Sequence, residues 1–226
     1  MGALSAAAPS LSSGQSALLA GIAGFVDTAT FVSLHGVFAA HVTGNFVLIG
    51  AALVMGTGGL LAKLLTFPVF MLAVIATRRA AQRWERPVRR LFLVQLVLLA
   101  GFWLGVMACA PFEDPDSPEL ILVAALAVAA MGLQNALMRI AFPTAVPTTI
   151  MTGNTTAAMV DLTDLMTGRL PPEGRARLRR VALVLLGFAA GCALGAAVLT
   201  WIGPVGLVLP VLAVGLVWWR QADAPA

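Results

Sequence analysis

His41-Val42-Thr43-Gly44-Asn45, followed by the apolar run Phe46 to Val54, is the stretch on which the reading of this chain turns. It returns more than a hundred residues later as Met151-Thr152-Gly153-Asn154, ahead of Thr155 to Leu165. Each copy follows a segment rich in helix breakers. Each opens a helix too short to cross a bilayer, whose hydrocarbon core takes about 20 residues of helix. Upstream, Gly24-Phe25-Val26-Asp27 lies over Gly132-Leu133-Gln134-Asn135. Asp27 precedes Thr43 by 16 positions and Asn135 precedes Thr152 by 17. Two motif matches at nearly equal spacing make an internal repeat.

Composition sets the class. Of 226 residues, 60% are hydrophobic and 11% charged, against roughly 25% charged in an average soluble domain. Long apolar runs recur from end to end, so the reading is an all-α polytopic protein whose first partner is the lipid bilayer. The net charge of +4 does not indicate nucleic acid, because the arginines gather in two loops where they report membrane orientation. Cys109 and Cys192 lack CxxC or metal-ligand spacing and read as small packing residues. There is no HExxH, GxSxG, P-loop or strand-linked GxGxxG, so no enzyme, cofactor or metal is expected.

Taken in order, residues 1–14 read as a disordered tail without the basic start of a secretory signal, so the first apolar segment is expected to be retained. Residues 15–110 form the first repeat: a span from Ser16 to Leu34, an extended link, a half-helix from Thr43 to about Leu61, and spans at Lys63–Arg79 and Leu91–Ala110. Pro68 predicts a kink in the second span. Residues 111–119 are an acidic external loop. Residues 120–220 form the second repeat: Leu120–Ile140, a proline-containing link, a half-helix from Thr152 to about Met166, then Val181–Ile202 and Val205–Trp219. Residues 221–226 are the C-terminal tail. Trp201, Trp218 and Trp219 mark membrane interfaces.

Charge orients the repeats. Arg78 to Arg90 and Arg169 to Arg180 belong in the cytoplasm, and the loop with Glu113, Asp114, Asp116 and Glu119 belongs outside. If both Thr-Gly-Asn helices crossed fully, the acidic loop and the second basic loop would share a side. Re-entrant half-helices remove that conflict. The expected fold is therefore six transmembrane helices plus two re-entrant half-helices in two inverted-topology repeats, with both termini cytoplasmic.

A half-helix that starts inside the bilayer offers unpaired N–H groups and partial positive charge. Thr43 and Thr152 are expected as N-caps, with Gly44 and Gly153 allowing close approach and Asn45 and Asn154 adding polar groups. The two N-termini are expected to converge near the midplane, where a solute binds. Asp27 could hold a cation, carry a coupling proton or pair with an amine, or it could only brace the neighbouring segment. Its repeat partner, Asn135, cannot titrate. Asp161 is expected to point inward; Asp164 could simply pair with an arginine, and Arg139 could be that partner or snorkel to the interface. His41 could line the cavity or be a plain loop residue. Gly187, Gly191 and Gly195 mark a close-packing helix face, used within the chain or in a homodimer.

These residues carry a family resemblance. Gly24-Phe25-Val26-Asp27, His41-Val42-Thr43-Gly44-Asn45, Gly132-Leu133-Gln134-Asn135-Ala136, Val146-Pro147-Thr148-Thr149 and Thr152-Gly153-Asn154 together resemble the YoaK-like family of small bacterial inner-membrane proteins. The resemblance covers nearly the whole chain after residue 14. It implies a six-span protein of a bacterial inner membrane and adds nothing about the solute. The expected function is secondary transport of a small polar or anionic solute. A passive solute or ion channel, and a non-transporting scaffold or sensor subunit, are the alternatives.

Overall fold

The computed structural model describes residues 11–221, which form eight α-helices and no strand. In order these are α1 (Ser13–Ser33), α2 (Val42–Met55), α3 (Leu60–Arg83), α4 (Pro87–Cys109), α5 (Pro118–Ala141), α6 (Met151–Met166), α7 (Gly174–Trp201) and α8 (Val208–Arg220), with a 3₁₀ turn over Gly203–Leu207 leading into α8. Counting that turn with α8, six helices are long and apolar enough to cross a membrane. The protein is a multi-pass transmembrane protein. At 1.5 Å per residue, α2 reaches about 21 Å and α6 about 24 Å, short of a bilayer core of roughly 30 Å.

Local chemistry sets the ends. The tail expected through residue 14 gives way to helix at Ser13. There Gln15 N–H donates to Ser12 Oγ (3.2 Å) and Ser12 N–H to Gln15 Oε1 (2.9 Å), a reciprocal capping box. The rest of that tail, and most of the C-terminal one, lie outside the described residues. The first short helix stops at Met55, not near Leu61, because Gly56 and Gly59 take left-handed backbone with φ of 67° and 81°. α3 therefore begins at Leu60 and runs unbroken through Pro68. α7 begins at Gly174, seven residues before its expected start, which carries Arg175 to Arg180 into its first turns.

α1 and α5 are the most buried helices and form the centre. α1 packs on α7 and α8; α5 packs on α3 and α4; α4 also meets α8. The two short helices sit outside this core, α2 mainly on α3 and α6 mainly on α7. The α1–α7 crossing is the tightest. A Cβ on Gly191 would lie 2.0 Å from Gly21 O, and one on Gly187 2.3 Å from Ala17 O. The glycine face of α7 is thus occupied by α1 of the same chain. Cys192 packs there too, its Sγ 3.0 Å from where a Gly24 Cβ would stand.

Two further contacts orient the bundle. Arg89 of α4 lies over the Trp218 ring of α8 at 5.1 Å, while Leu96 meets Gly215. Numbers rise along α4 as they fall along α8, so these helices run antiparallel. At one end, His35 Nε2 bonds to Phe112 O (2.7 Å), and Gly59 and Ala62 N–H donate to the Asp116 carboxylate (3.1 and 2.9 Å). Lys63 Nζ also donates to His35 O (3.0 Å). The end of α1, the start of α3 and the acidic connection therefore meet.

Candidate functional site

Asp27 lies in the last third of α1, 3% exposed, against the link that leads into α2. Its Oδ1 accepts from Ala39 N–H (2.8 Å) and Ala40 N–H (2.6 Å). Its Oδ2 accepts from His41 Nδ1–H. Three donors on one carboxylate compensate its burial, the condition for keeping such a group away from water. Asp27 therefore braces the link and also orients a histidine. The His41 side chain is 38% exposed, with its ring edge-on to Phe188 of α7 at 5.5 Å. With Nδ1–H committed to Asp27, Nε2 is the nitrogen free to accept or carry a proton. Both Asp27 oxygens are taken up by these donors, and the unbonded nitrogen of the couple is His41 Nε2.

Asn45 holds the same link from the other side. Phe38 N–H donates to its Oδ1 (2.9 Å), and its Nδ2 donates to Phe38 O (2.9 Å) and Thr66 Oγ1 (3.0 Å). Gly44 leaves room for the Phe38 ring, since a Cβ there would come within 3.1 Å of it. Thr43 is exposed. The expected N-caps are corrected here. His41 and Ile150 occupy the cap positions, neither with a side-chain cap bond, and both helices start one residue before their threonine. A bidentate amide reaching back seven residues holds the link where a threonine hydroxyl was expected to cap the helix.

The second copy repeats the bracing with fewer bonds. Asn154 Nδ2 donates to Pro147 O (2.7 Å), again seven residues back, but proline has no N–H to return. Asn135 Nδ2 donates to Thr149 Oγ1 (2.7 Å), the same 14-residue reach as Asp27 to His41. Thr152 and Gly153 are exposed. Asn45→Ala should therefore destabilise the protein by about 2–4 kcal/mol and Asn154→Ala by about 1, at roughly 1 kcal/mol per bond. Equal thermal shifts in the two variants would contradict this.

The two copies pack on different neighbours, α2 mainly on α3 and α6 mainly on α7. α2 and α6 form no packed pair, and Asp161 faces α7. Arg177 Nε donates to Asp161 Oδ2 (2.8 Å) and its Nη2 to Oδ1 (2.5 Å), a fork-on-carboxylate pair that takes up both acceptor oxygens. Asp164 makes no ion pair with Arg139 or any other described arginine. Its backbone O instead accepts from Arg169 and Leu170 N–H at the end of α6.

Sequence reasoning missed a buried amide ladder. Gln95 Nε2 donates to Gln134 Oε1 (2.7 Å), and Gln134 Nε2 donates to Leu19 O and Thr148 Oγ1 (both 3.0 Å), joining α4, α5, α1 and the second link. The recurring 14-residue step between a polar helix residue and its partner was the signal for Thr149.

A family model described as "Protein of unknown function (DUF1275)" matches residues 15–219. The UPF0700 transmembrane protein YoaK of Bacillus subtilis (strain 168) is 28% identical over 146 residues. That match covers 64% of this chain and spans 64% of the relative's length. No solved structure matches. The matched range takes in the Asp27 and Asn135 braces and both short helices, and the chain belongs to the family described as "Protein of unknown function (DUF1275)".

Proposed function

We propose that this protein is a secondary transporter of a small polar or anionic solute in a bacterial inner membrane. It is built from two inverted repeats with α2 and α6 as re-entrant half-helices and both termini cytoplasmic. The observation that carries the reading is the Asp27–His41 couple at the start of α2. A buried carboxylate holds one imidazole nitrogen and leaves the other without a hydrogen-bond partner on a side chain that is 38% exposed, an arrangement suited to taking up and releasing a proton with each cycle.

The packing supports the repeat. Exchanging α1–α4 with α5–α8 turns the α1–α7 contact into α5–α3, α2–α3 into α6–α7, and α4–α5 into α8–α1, all of which occur. Gly24 against Phe188 O has its counterpart in Gly132 against Phe70 O. Two geometric facts support re-entry. Both flanks of α2 return to one end of the bundle, where His35, Lys63, Phe112 and Asp116 meet. If α6 crossed fully while α2 did not, α4 and α8 would run parallel, and they run antiparallel. This path sets both arginine loops on one side and the acidic loop on the other.

The test is solute-driven proton movement in proteoliposomes carrying an internal pH dye, screened over anions, amino acids and nucleobases. Wild type should acidify or alkalinise the lumen with one solute class, and His41→Gln should abolish that coupling. Unchanged pH-dependent uptake in His41→Gln would sink the proton role. Counterflow in the wild type supports a carrier, and uptake without counterflow replaces it with a channel.

A further inference from the structure

We infer that the hollow between the last turns of α5 and residues 143–150 is a binding site for a small oxyanion of the phosphate or sulfate class. The inference deepens the transport reading by naming the solute's chemistry, and it takes from that reading the pairing of the two repeats. The hollow measures about 340 Å³. Asn135, Met138 and Arg139 of α5, with Phe142 just past its end, form one wall, and Thr148, Thr149 and Ile150 line it from the link.

The first repeat shows what this part of the fold accommodates. There the link's N–H groups at Ala39 and Ala40 converge on the Asp27 carboxylate. Counted back from the Thr-Gly-Asn motif, the corresponding N–H groups of the second repeat belong to Thr148 and Thr149, and the carboxylate is replaced by the neutral Asn135. Among the described residues neither N–H finds an acceptor. The two hydroxyls are in the same position. Thr149, 6% exposed, accepts from Asn135, and Thr148, 1% exposed, accepts from Gln134, while neither O–H proton has an acceptor among the described residues. Buried donors without acceptors are rare and costly.

Charge points the same way. Arg139 stands four residues after Asn135, where the first repeat has Phe31 four residues after Asp27. Arg139 makes no ion pair with a described residue, and no carboxylate lines the hollow. α6 begins at Met151, immediately beyond Ile150, with no side chain capping its first turn. An uncapped helix start of this length favours an anion. A neighbouring hollow of about 240 Å³, sharing Phe142 and Ala145 as walls, adds Arg180 and again no acid. An oxyanion carries the charge and acceptor atoms that Asp27 supplies internally in the first repeat.

The test uses the full-length protein in phosphatidylcholine nanodiscs, titrated with sulfate and with inorganic phosphate against potassium chloride at matched ionic strength. Wild type should show a saturable rise in Tm. Arg139→Gln should weaken it about tenfold or more, as expected for a lost charge-assisted bond. Asn135→Asp, which installs the carboxylate of the first repeat, should abolish it while the protein stays folded; this variant decides the matter if Arg139→Gln does not fold. Gly50→Ala, on α2 with nothing within 4 Å of the added Cβ, should bind as wild type does. No saturable shift in wild type, or equal shifts in all variants as a general salt effect gives, overturns the site. Loss of the sulfate response when phosphatidylglycerol is added assigns the site to a lipid headgroup phosphate, and its persistence assigns it to a free anion. Saturable binding without any uptake or counterflow of a solute would retain this site and sink the transport reading. His41-dependent flux of an uncharged solute without anion binding would do the reverse.

Discussion

Gly191→Leu is expected to unfold the centre of the protein. Even the Cβ of an alanine at 191 would stand 2.0 Å from Gly21 O, a backbone atom that cannot swing aside. α1 and α7 must then separate, and the contacts at Gly187 and Gly195 loosen with them. Overpacking in a tight core costs about 1–3 kcal/mol and more where backbone blocks the new atoms, and no hydrophobic drive restores helix contact inside a bilayer. Thermal unfolding of the detergent-solubilised protein should show a large fall in Tm, or no monodisperse protein at all. Gly50→Ala is the control. It lies on α2 with nothing within 4 Å of the added Cβ and should be neutral or slightly stabilising. A Gly191→Leu protein that elutes and melts like wild type would refute the close crossing.

The second large effect separates the structural from the chemical role of Asp27. Asp27→Ala leaves Ala39 and Ala40 N–H buried without their acceptor, at about 1–3 kcal/mol each, so a loss of roughly 2–6 kcal/mol is expected. Asp27→Asn keeps an oxygen for those two N–H groups and should fold. Its amide N–H then faces His41 Nδ1, which must accept, and the ring proton moves to Nε2. The exposed nitrogen changes from acceptor to donor. Histidine nitrogen NMR should report the exchanged tautomer, and the proton-coupled flux proposed above should be absent. Wild-type melting in Asp27→Ala would contradict the brace, and wild-type pH-dependent flux in Asp27→Asn would contradict the proton role.

Much of the fold was legible in the chain itself. The six apolar helices and the two short ones follow from run length, since a helix in lipid must satisfy its own backbone and be apolar over its whole length. The Thr-Gly-Asn repeat and the two polar residues upstream of it were plain from spacing alone. Boundaries were less so. The stop at Gly56 depended on a left-handed backbone that an otherwise apolar run concealed, and the early start of α7 places arginines in helix where charge suggested loop.

By itself the sequence determined the class, the number of apolar helices and the residues that stand out. Tertiary structure alone decided what those residues meet. Apolar helices are interchangeable by composition, so only shape pairs the glycines of α7 with α1. Hydrogen-bond partners depend on where a link passes in space, so only the fold could assign Asp27 to the backbone of Ala39 and Ala40 and to His41, and Asp161 to Arg177. The two Thr-Gly-Asn copies look alike in sequence because each starts a short helix. They differ in chemistry because a carboxylate fills the first brace and an arginine-lined hollow adjoins the second.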